Sequence, residues 1–211
     1  MNDKSLAFFE KLAVSSTLTP NSVKLAKNSD FSHMDAAFIL NYADESSTVL
    51  DLGTGTGLVV NKLYPHVKKI VAVEPFPQLT QYIAQHGKIR VVNRNVFNFE
   101  TDEKFDLICL FALMHYMDEL QAEKIYKKYI GCLAENGVMI VKNQFGLAED
   151  VTVDGYSEEL EGDYFAQYRQ VDKEVRLLKD AGFSTVEVAD IYPAKYSRWQ
   201  NTHFFALVAT R

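Results

Sequence analysis

The segment VLDLGTGTG, which runs from Val49 to Gly57, holds the residues with the clearest chemical potential in the sequence. Gly53, Gly55 and Gly57 allow the backbone to turn sharply and to approach a ligand closely. Because the segment lies between an apolar run of strand length and a predicted helix, the first helical turn can offer free amides to a carboxylate. Asp51 precedes the glycines and can orient the loop or attract an ammonium group. The pattern predicts a ligand-binding turn.

A glycine-rich turn also occurs without any ligand, so the positions of the glycines are needed to decide which kind of ligand, if any, the turn binds. The dinucleotide fingerprint G-x-G-x-x-G would place a third glycine at position 58, where this sequence has Leu58. A nicotinamide dehydrogenase therefore stays only as a minor alternative.

An acidic residue followed by G-x-G-x-G resembles the first motif of the class I S-adenosylmethionine-dependent methyltransferases. The resemblance continues through most of the chain after Thr48 and implies S-adenosylmethionine as cofactor and S-adenosylhomocysteine as product. In that family an acidic residue at the tip of the second strand binds the ribose hydroxyls. Glu74 takes that place here, about 20 residues past the glycine turn; a solvated strand-end carboxylate is the alternative.

The same resemblance assigns residues to the adenine and methionine parts of the cofactor. Asn95 stands where the family commonly has aspartate, and its amide oxygen can still accept a hydrogen bond from adenine, while Val96 offers its backbone amide. Phe76 can cover the adenine face. The segment LFALMHYM matches the fourth motif and places Phe111 and Ala112 beside the cofactor. The predicted cofactor-binding residues are Asp51, Gly53, Thr54, Gly55, Gly57, Glu74, Phe76, Asn95, Val96, Phe111 and Ala112.

His115 is the first candidate for taking a proton from the methyl acceptor. Methyl transfer from a sulfonium is an in-line displacement, so orientation and exclusion of water supply much of the rate and a base is optional. A weakly acidic hydroxyl or a protonated amine would require one. The alternative reading of His115 is a loop histidine hydrogen-bonded for structure.

The aromatic tail IYPAKYSRWQNTHFF can form a wall of the acceptor site, with Tyr192 among its flat side chains. A connection between the last strands, packed on the core, explains the tail equally without a ligand. The predicted substrate-binding residues are Tyr116, Asn143, Tyr196, Arg198 and Trp199.

Absent motifs narrow the acceptor. Residues 112–116 stand where nucleobase amine methyltransferases have an N-P-P-Y-like loop, so methylation of nucleobase amines is disfavoured. No cluster of Asp, Glu and His near the fourth and fifth strands has metal-ligand spacing, so no metal is predicted. The C-terminal half also resembles, less specifically, the protein N-terminal amine methyltransferases, but Asn143 and Gln144 replace their Asp-Asn pair.

The leading hypothesis is therefore methyl transfer to oxygen or nitrogen of a small-molecule acceptor. A protein or peptide amine methyltransferase and a non-catalytic S-adenosylmethionine-binding module are the alternatives.

Apolar runs of strand length alternate with helical patterns from about Thr48 onward. FDLICLF has almost no polar face and predicts a buried central strand. We therefore expect an α/β fold with a doubly wound, mostly parallel sheet, helices on both faces and, from the resemblance, an antiparallel C-terminal strand beside the fifth. The predicted strands are TVLDLG, KIVAVE, IRVVN, FDLICLF, GVMIVKN, STVEVADIY and THFFALVAT, and helices are predicted from Leu58, Pro77 to Gly87, Asp118 to Leu133 and Val171 to Ala181.

The chain length of 211 residues suits a single domain. We expect residues 1–45 to form an N-terminal lid, 46–145 the cofactor-binding core, 146–169 a substrate loop, and 170–211 the last helix and strands. Both insertions fall beside the carboxyl edge of the sheet, where doubly wound folds bind ligands; surface decoration is the alternative.

Composition bears on partners and compartment. A net charge of -6 disfavours broad binding to nucleic acid, and no apolar stretch reaches membrane-spanning length. Glu10 and Lys11 interrupt the N-terminal apolar run, which is not typical of a signal peptide. Cys109 and Cys132 are expected to be reduced, which indicates the cytoplasm. The sequence gives no indication of oligomeric state.

Overall fold

The computed structural model describes residues 1, 3–23, 30–157, 162–197 and 199–211. Seven of the strands in these ranges form one sheet, and the other two form a separate hairpin. The strands are β1 (Thr48–Leu52), β2 (Lys69–Val73), β3 (Ile89–Val92), β4 (Phe105–Phe111), β5 (Leu133–Gly146), β6 (Val151–Ser157), β7 (Gly162–Tyr168), β8 (Thr185–Asp190) and β9 (Thr202–Thr210). The helices are α1 (Asp3–Ala13), α2 (Ser32–Ile39), α3 (Val60–Leu63), α4 (Pro77–Thr80), α5 (Glu119–Ile130) and α6 (Val171–Asp180).

The large sheet has the strand order β3-β2-β1-β4-β5-β9-β8. The first five strands of this order pair in parallel, and β9 lies antiparallel between β5 and β8. The predicted α/β class, the mostly parallel sheet and the antiparallel strand beside the fifth are confirmed. Because the order reverses between β1 and β4, the carboxyl ends of these two strands border a crevice.

Two apolar cores cover the faces of the sheet. Leu50 and Ile108 belong to one core, which α5 and α6 cover, whereas their neighbours Val49 and Leu107 belong to the other, which α2 and α3 cover. Successive strand residues point to opposite faces, so a strand buried on both sides needs a continuous apolar run. The helices on both faces confirm the doubly wound arrangement.

The helix predicted from Pro77 to Gly87 is a single turn, α4. Just after this turn, the Asn61 side chain donates to the carbonyl oxygen of Tyr82 at 2.9 Å and accepts from the amide of Ala84 at 2.8 Å. Because these bonds use backbone groups that a longer helix would need for its own hydrogen bonds, the helix does not continue beyond this point.

The helix α5 begins as predicted, with a capping box between Asp118 and Gln121. It ends at Ile130, earlier than predicted, because Leu133 already pairs with Phe105 as the first residue of β5. At 12 residues α5 is the longest described helix. Among the described residues, no helix combines the length and apolar character needed to cross a membrane.

The segment 146–169, predicted as a loop, contains an antiparallel hairpin of β6 and β7. This hairpin packs against α1, where the hydroxyl of Ser5 donates to the carbonyl oxygen of Phe165 at 3.1 Å. The loop prediction is therefore corrected to a strand pair for the described residues, and residues 158–161 lie outside the description.

A buried ion pair joins the end of this hairpin to α6. Arg169 and Glu174 are 2% and 0% exposed, and their Nε and Oε2 atoms are 2.5 Å apart. The same guanidinium donates to the carbonyl oxygens of Met117 at 2.5 Å and Met114 at 2.9 Å, and the Tyr126 hydroxyl donates to Glu174. Arg169 thereby holds the turn that follows β4 against the rest of the fold.

Candidate active site

A cavity of about 260 Å³ lies at the carboxyl ends of β1, β2 and β4. It is bounded by the sheet on one side and by residues of the N-terminal segment on another. The described residues of 146–169 do not line it, and neither do Gly57, His115, Asn143 and Trp199. Arg198 lies outside the described residues. The predicted residues that line the cavity are Asp51, Gly53, Thr54, Gly55, Glu74, Phe76, Asn95, Val96, Phe111, Ala112, Tyr116 and Tyr196.

The glycine turn is folded over the end of β2. The amides of Gly53 and Thr54 donate to the carbonyl oxygen of Val73 at 2.9 and 3.1 Å. Gly57 has a φ of 77°, and a Cβ atom there would lie 2.5 Å from Cγ1 of Ile83. The amides of Gly53 and Thr54 are thus already hydrogen-bonded within the protein, and α3 is a single short turn. The turn therefore offers fewer free amides to a carboxylate than the sequence predicts.

Glu74 is buried beside this turn at the tip of β2. Its Oε2 accepts from the amide of Gly55 at 3.0 Å, and its Oε1 accepts from the amide of Phe76 at 3.3 Å. Burial raises the pKa of Glu74 to about 7, these two bonds oppose the shift, and the charge of Asp51 adds to it. Each carboxylate oxygen keeps a further lone pair, so Glu74 can still accept bonds from two hydroxyls.

Asp51 is the second buried carboxylate on the cavity wall. The hydroxyl of Thr54 donates to it at 2.5 Å. Burial raises the pKa of Asp51 to about 6, with the Thr54 bond opposing the shift. Among the described residues neither Asp51 nor Glu74 has a cationic partner, so this end of the cavity favours a ligand that brings positive charge and hydroxyl donors.

Beyond Glu74 the wall continues to Asn95 and Val96. The side-chain oxygen of Asn95 accepts from the amide of Phe97 at 3.0 Å, which fixes the side chain in its own turn. An amide oxygen has a second lone pair. Asn95 therefore keeps one acceptor position for the predicted contact with an amino group.

The other end of the cavity lies where β4 and β5 finish. Ala112 has a φ of 54°, a conformation that is uncommon for a residue with a side chain, and its amide donates to the carbonyl oxygen of Lys142 at 2.8 Å. The Lys142 ammonium lies 3.3 Å from Oδ2 of Asp35, whose other oxygen accepts from the Tyr192 hydroxyl. Phe111 and the aromatic tail complete this end of the cavity.

Sequence reasoning did not identify Asp35 and Lys142. A lysine inside the otherwise apolar run GVMIVKN is a signal in the sequence, because a buried lysine requires a partner. The partner comes from α2, 107 positions earlier in the chain, and no local pattern marks it.

His115 is buried behind the cavity wall. Its Nδ1 lies 3.1 Å from Oδ1 of Asn143, and its Nε2 has no partner among the described residues. Burial lowers the pKa of His115 to about 3, with the Asn143 bond opposing the shift. A weakly basic imidazole outside the cavity lining does not support the prediction that His115 takes a proton from the acceptor.

Trp199 also packs away from the cavity. Its indole nitrogen donates to the Tyr168 hydroxyl at 3.3 Å, and it lies against the cluster formed by Tyr116, Tyr164 and Ala166. The predicted contacts of Asn143 and Trp199 with substrate therefore gain no support from the geometry, whereas Tyr116 and Tyr196 both face the cavity.

A family model described as a methyltransferase domain matches residues 34–188. The chain belongs to this family. No curated protein matches the sequence of this methyltransferase.

Solved methyltransferase structures share the fold. The N-methyltransferase NodS from Bradyrhizobium japonicum, in complex with S-adenosylhomocysteine, is 16% identical with a TM-score of 0.68, covering 99% of both chains. The 1,6-didemethyltoxoflavin-N1-methyltransferase from Burkholderia thailandensis is 16% identical with a TM-score of 0.73, covering 100% of this chain and 91% of that one. A proposed O-methyltransferase from Nostoc punctiforme is 16% identical with a TM-score of 0.65; 85% of this chain matches, spanning 55% of that protein.

The class I methyltransferases use S-adenosylmethionine, and the cavity fits this cofactor. Its two buried carboxylates suit a ligand that carries an ammonium group, a sulfonium and two ribose hydroxyls. The pyrophosphate of a dinucleotide would instead bring negative charge toward Asp51 and Glu74. Asp51 would hold the ammonium group, Glu74 the ribose, and Phe76, Asn95 and Val96 the adenine.

The buried carboxylates make one prediction about stability. We expect Asp51→Asn to raise the free energy of unfolding of the ligand-free protein at about pH 8 by roughly 1 to 3 kcal/mol, because ionised Asp51 is desolvated without a cation. Between its ordinary pKa of 3.8 and the raised value of about 6, the folded protein binds more protons at Asp51 than the unfolded chain does. The favourable contribution of Asp51 to the free energy of unfolding is therefore complete below pH 3.8 and is lost as the pH rises through about 6.

Urea denaturation of wild type and variant from about pH 4 to about pH 8 measures this difference, and the exposed-site variant Asp102→Asn is the control. The advantage of Asp51→Asn over wild type should grow as the pH rises. An advantage that shrinks with rising pH would contradict the assignment of a raised pKa to Asp51.

Proposed function

We propose that this methyltransferase transfers a methyl group from S-adenosylmethionine to an oxygen or nitrogen atom of a small-molecule acceptor by in-line displacement. One observation carries the proposal: a cavity runs from two buried carboxylates, which have no cationic partner in the part of the chain that the structure describes, to an aromatic end with its own ion pair. The first end suits the cofactor, and the second lies at the tips of β4 and β5, where an acceptor would meet it.

When bound, S-adenosylmethionine supplies a methyl group that the positive charge of its sulfonium already activates. The protein then has to orient the acceptor and exclude water. Phe111 and Leu113 lie on the cavity wall at and just after the end of β4, and their apolar side chains would help to exclude water. We do not assign the role of proton acceptor to His115, because burial makes its imidazole a weak base.

The shape of the acceptor end supports a small molecule over a peptide. It is bounded by α2, by β5, by the segment that leads into β9 and by β9 itself, through Ser32, Lys142, Tyr196 and Phe204 among others. The solved structures of this fold include an N-methyltransferase and a proposed O-methyltransferase, so the proposal covers both kinds of acceptor atom.

Calorimetric titration with S-adenosylmethionine, S-adenosylhomocysteine and NAD tests the cofactor end. We expect both adenosyl ligands to bind and NAD not to bind. Glu74→Ala should weaken binding of the adenosyl ligands by about 1 to 3 kcal/mol, because a hydrogen bond to a charged group is lost. This corresponds to a rise in Kd of roughly 5-fold to 150-fold.

Glu135→Ala, which removes an exposed carboxylate, is the matched control and should leave the affinity unchanged. If neither adenosyl ligand binds, the proposal fails; if NAD binds in their place, the glycine turn serves a dinucleotide. Transfer itself is measured as the release of labelled methyl products from S-adenosylmethionine in fractionated small-molecule extracts, with the same two variants.

A further inference from the structure

Lys142 occupies an unusual place at the acceptor end. Its Nζ lies 4.6 Å from the ring centre of Tyr192, 5.4 Å from that of Phe204 and 5.8 Å from that of Phe111. Phe31 packs against Tyr192 with ring centres 4.9 Å apart. These rings, together with that of Tyr196, form a wall of flat apolar surface around one ammonium group. We call this set the aromatic wall: Phe31, Phe111, Tyr192, Tyr196 and Phe204.

Asp35 and Lys142 differ in how many of their hydrogen-bonding groups are in use. Both oxygens of Asp35 accept a bond, one from Lys142 and one from Tyr192. Lys142 is 7% exposed and has three N–H groups, but among the described residues Asp35 is its only hydrogen-bond acceptor. A buried ammonium with unused donors on a cavity wall favours a ligand that supplies an acceptor oxygen.

The charges at this end favour an anion over a cation. Aromatic rings attract cations, but here the ammonium of Lys142 already faces the aromatic wall. A cationic ligand would meet this ammonium, while the carboxylate that could receive it, Asp35, is already bonded through both oxygens. Asp30 on the same wall accepts hydrogen bonds from Ser32 and lies 3.9 Å from Lys62, which balances part of its charge from another side.

We propose that Lys142 binds an oxyanion carried by a flat ring of the methyl acceptor, with the aromatic wall packed on the faces of that ring. The acceptor class is then an acidic aromatic or enolic compound. This inference rests on the proposed function, because it takes this end of the cavity as the acceptor site of a methyltransferase. Aromatic side chains pack on flat rings in offset or edge-on contacts, which would fix the ring plane while Lys142 fixes its rotation.

Four ring compounds test the proposal on the full chain saturated with S-adenosylhomocysteine. They are 4-nitrophenol, benzoate, 4-nitroanisole and benzylamine. We expect 4-nitrophenol to bind with the absorption band of its anion. Its neutral methyl ether, 4-nitroanisole, should bind about tenfold more weakly, because the charged hydrogen bond is missing. Benzoate shows whether the oxyanion sits on the ring or one carbon away from it.

Variants separate recognition from folding. Lys142→Met should weaken the binding of 4-nitrophenol by about tenfold or more. Asp35→Asn keeps an acceptor oxygen for Lys142 and should lower the affinity by less than Lys142→Met does. Lys127→Met, which removes an exposed lysine of α5, is the control and should change nothing. If Lys142→Met alone does not fold, Lys142→Met combined with Asp35→Asn leaves no buried charge unpaired and is used instead.

Several results would overturn the proposal. Benzylamine binding more tightly than 4-nitrophenol would make Asp35 the recognising group. Equal losses in Lys142→Met and Asp35→Asn would indicate a purely structural ion pair, as would an unchanged affinity in Lys142→Met. Absence of saturable binding by both anionic probes, in protein that still binds S-adenosylhomocysteine, also overturns it. Failure to bind S-adenosylhomocysteine removes the proposed function, and this inference with it.

Discussion

Replacing Arg169 with methionine should lower the free energy of unfolding by about 3 to 5 kcal/mol. The substitution leaves the carboxylate of Glu174 fully buried, with the Tyr126 hydroxyl as its remaining partner among the described residues. It also removes the donors that hold the carbonyl oxygens of Met114 and Met117. Urea denaturation followed by circular dichroism measures the loss.

Two further variants give this prediction its controls. Arg176→Met removes an exposed arginine from α6, the helix that carries Glu174, and should change stability by less than about 0.5 kcal/mol. Arg169→Met combined with Glu174→Gln should recover a large part of the loss, because no unpaired charge stays buried. If the double variant were no more stable than Arg169→Met alone, the loss would come from packing and not from the stranded carboxylate.

Gly57→Ala is expected to lower the free energy of unfolding by about 2 to 5 kcal/mol. The positive φ of 77° costs a residue with a side chain roughly 1 to 2 kcal/mol. The new Cβ atom also lies 2.5 Å from Cγ1 of the buried Ile83, and overpacking of this kind costs about 1 to 3 kcal/mol. Because Gly57 closes the turn that carries Gly53 and Gly55, binding of S-adenosylhomocysteine should weaken as well.

Gly87→Ala is the matched control for this turn, since a Cβ atom there has no neighbour within 4 Å. It should leave stability unchanged or raise it slightly. Combining Gly57→Ala with Ile83→Ala removes the crowding atom and leaves the backbone strain. A double variant that shows no relief relative to the two single losses would mean that the clash with Ile83 does not contribute.

The strands could be predicted, and most of the residues at the carboxylate end of the cavity could be brought to one place, because their signals are local. β4 is buried on both faces, so burial forces an apolar run that is visible in the sequence. Asp51, Glu74 and the glycines follow directly from the ends of such runs, and their order along the chain places them at one edge of the sheet. Motif spacing and strand position together were sufficient there.

The acceptor end depends on contacts that no window of the sequence contains. Lys142 of β5 meets Asp35 of α2, and Tyr192 reaches the same carboxylate from near the other end of the chain. The geometry gives no support to His115 as a base for a similar reason. Its burial follows from the turn that Arg169 anchors from 52 residues away, and a loop position alone predicts exposure.

The hairpin of β6 and β7 was missed because Asp154 and Gly155 interrupt the alternation in β6, and Phe165 interrupts it in β7. Their apolar side chains, including Tyr164 and Ala166, are buried with the help of Phe9 from α1. A short two-stranded ribbon is marginal by itself, so its partner decides whether it forms. That partner lies far earlier in the sequence, and the bond between Ser5 and Phe165 spans 160 positions.

The position of β9 between β5 and β8 has a consequence for how the protein is made. β9 is the last strand in sequence, yet β5 and β8 pair only through it. While the ribosome is still translating, both of these strands present open edges that can pair with other chains. A chain whose synthesis stops before residue 202 would therefore be a client for chaperones and proteases, and not a slightly weakened enzyme.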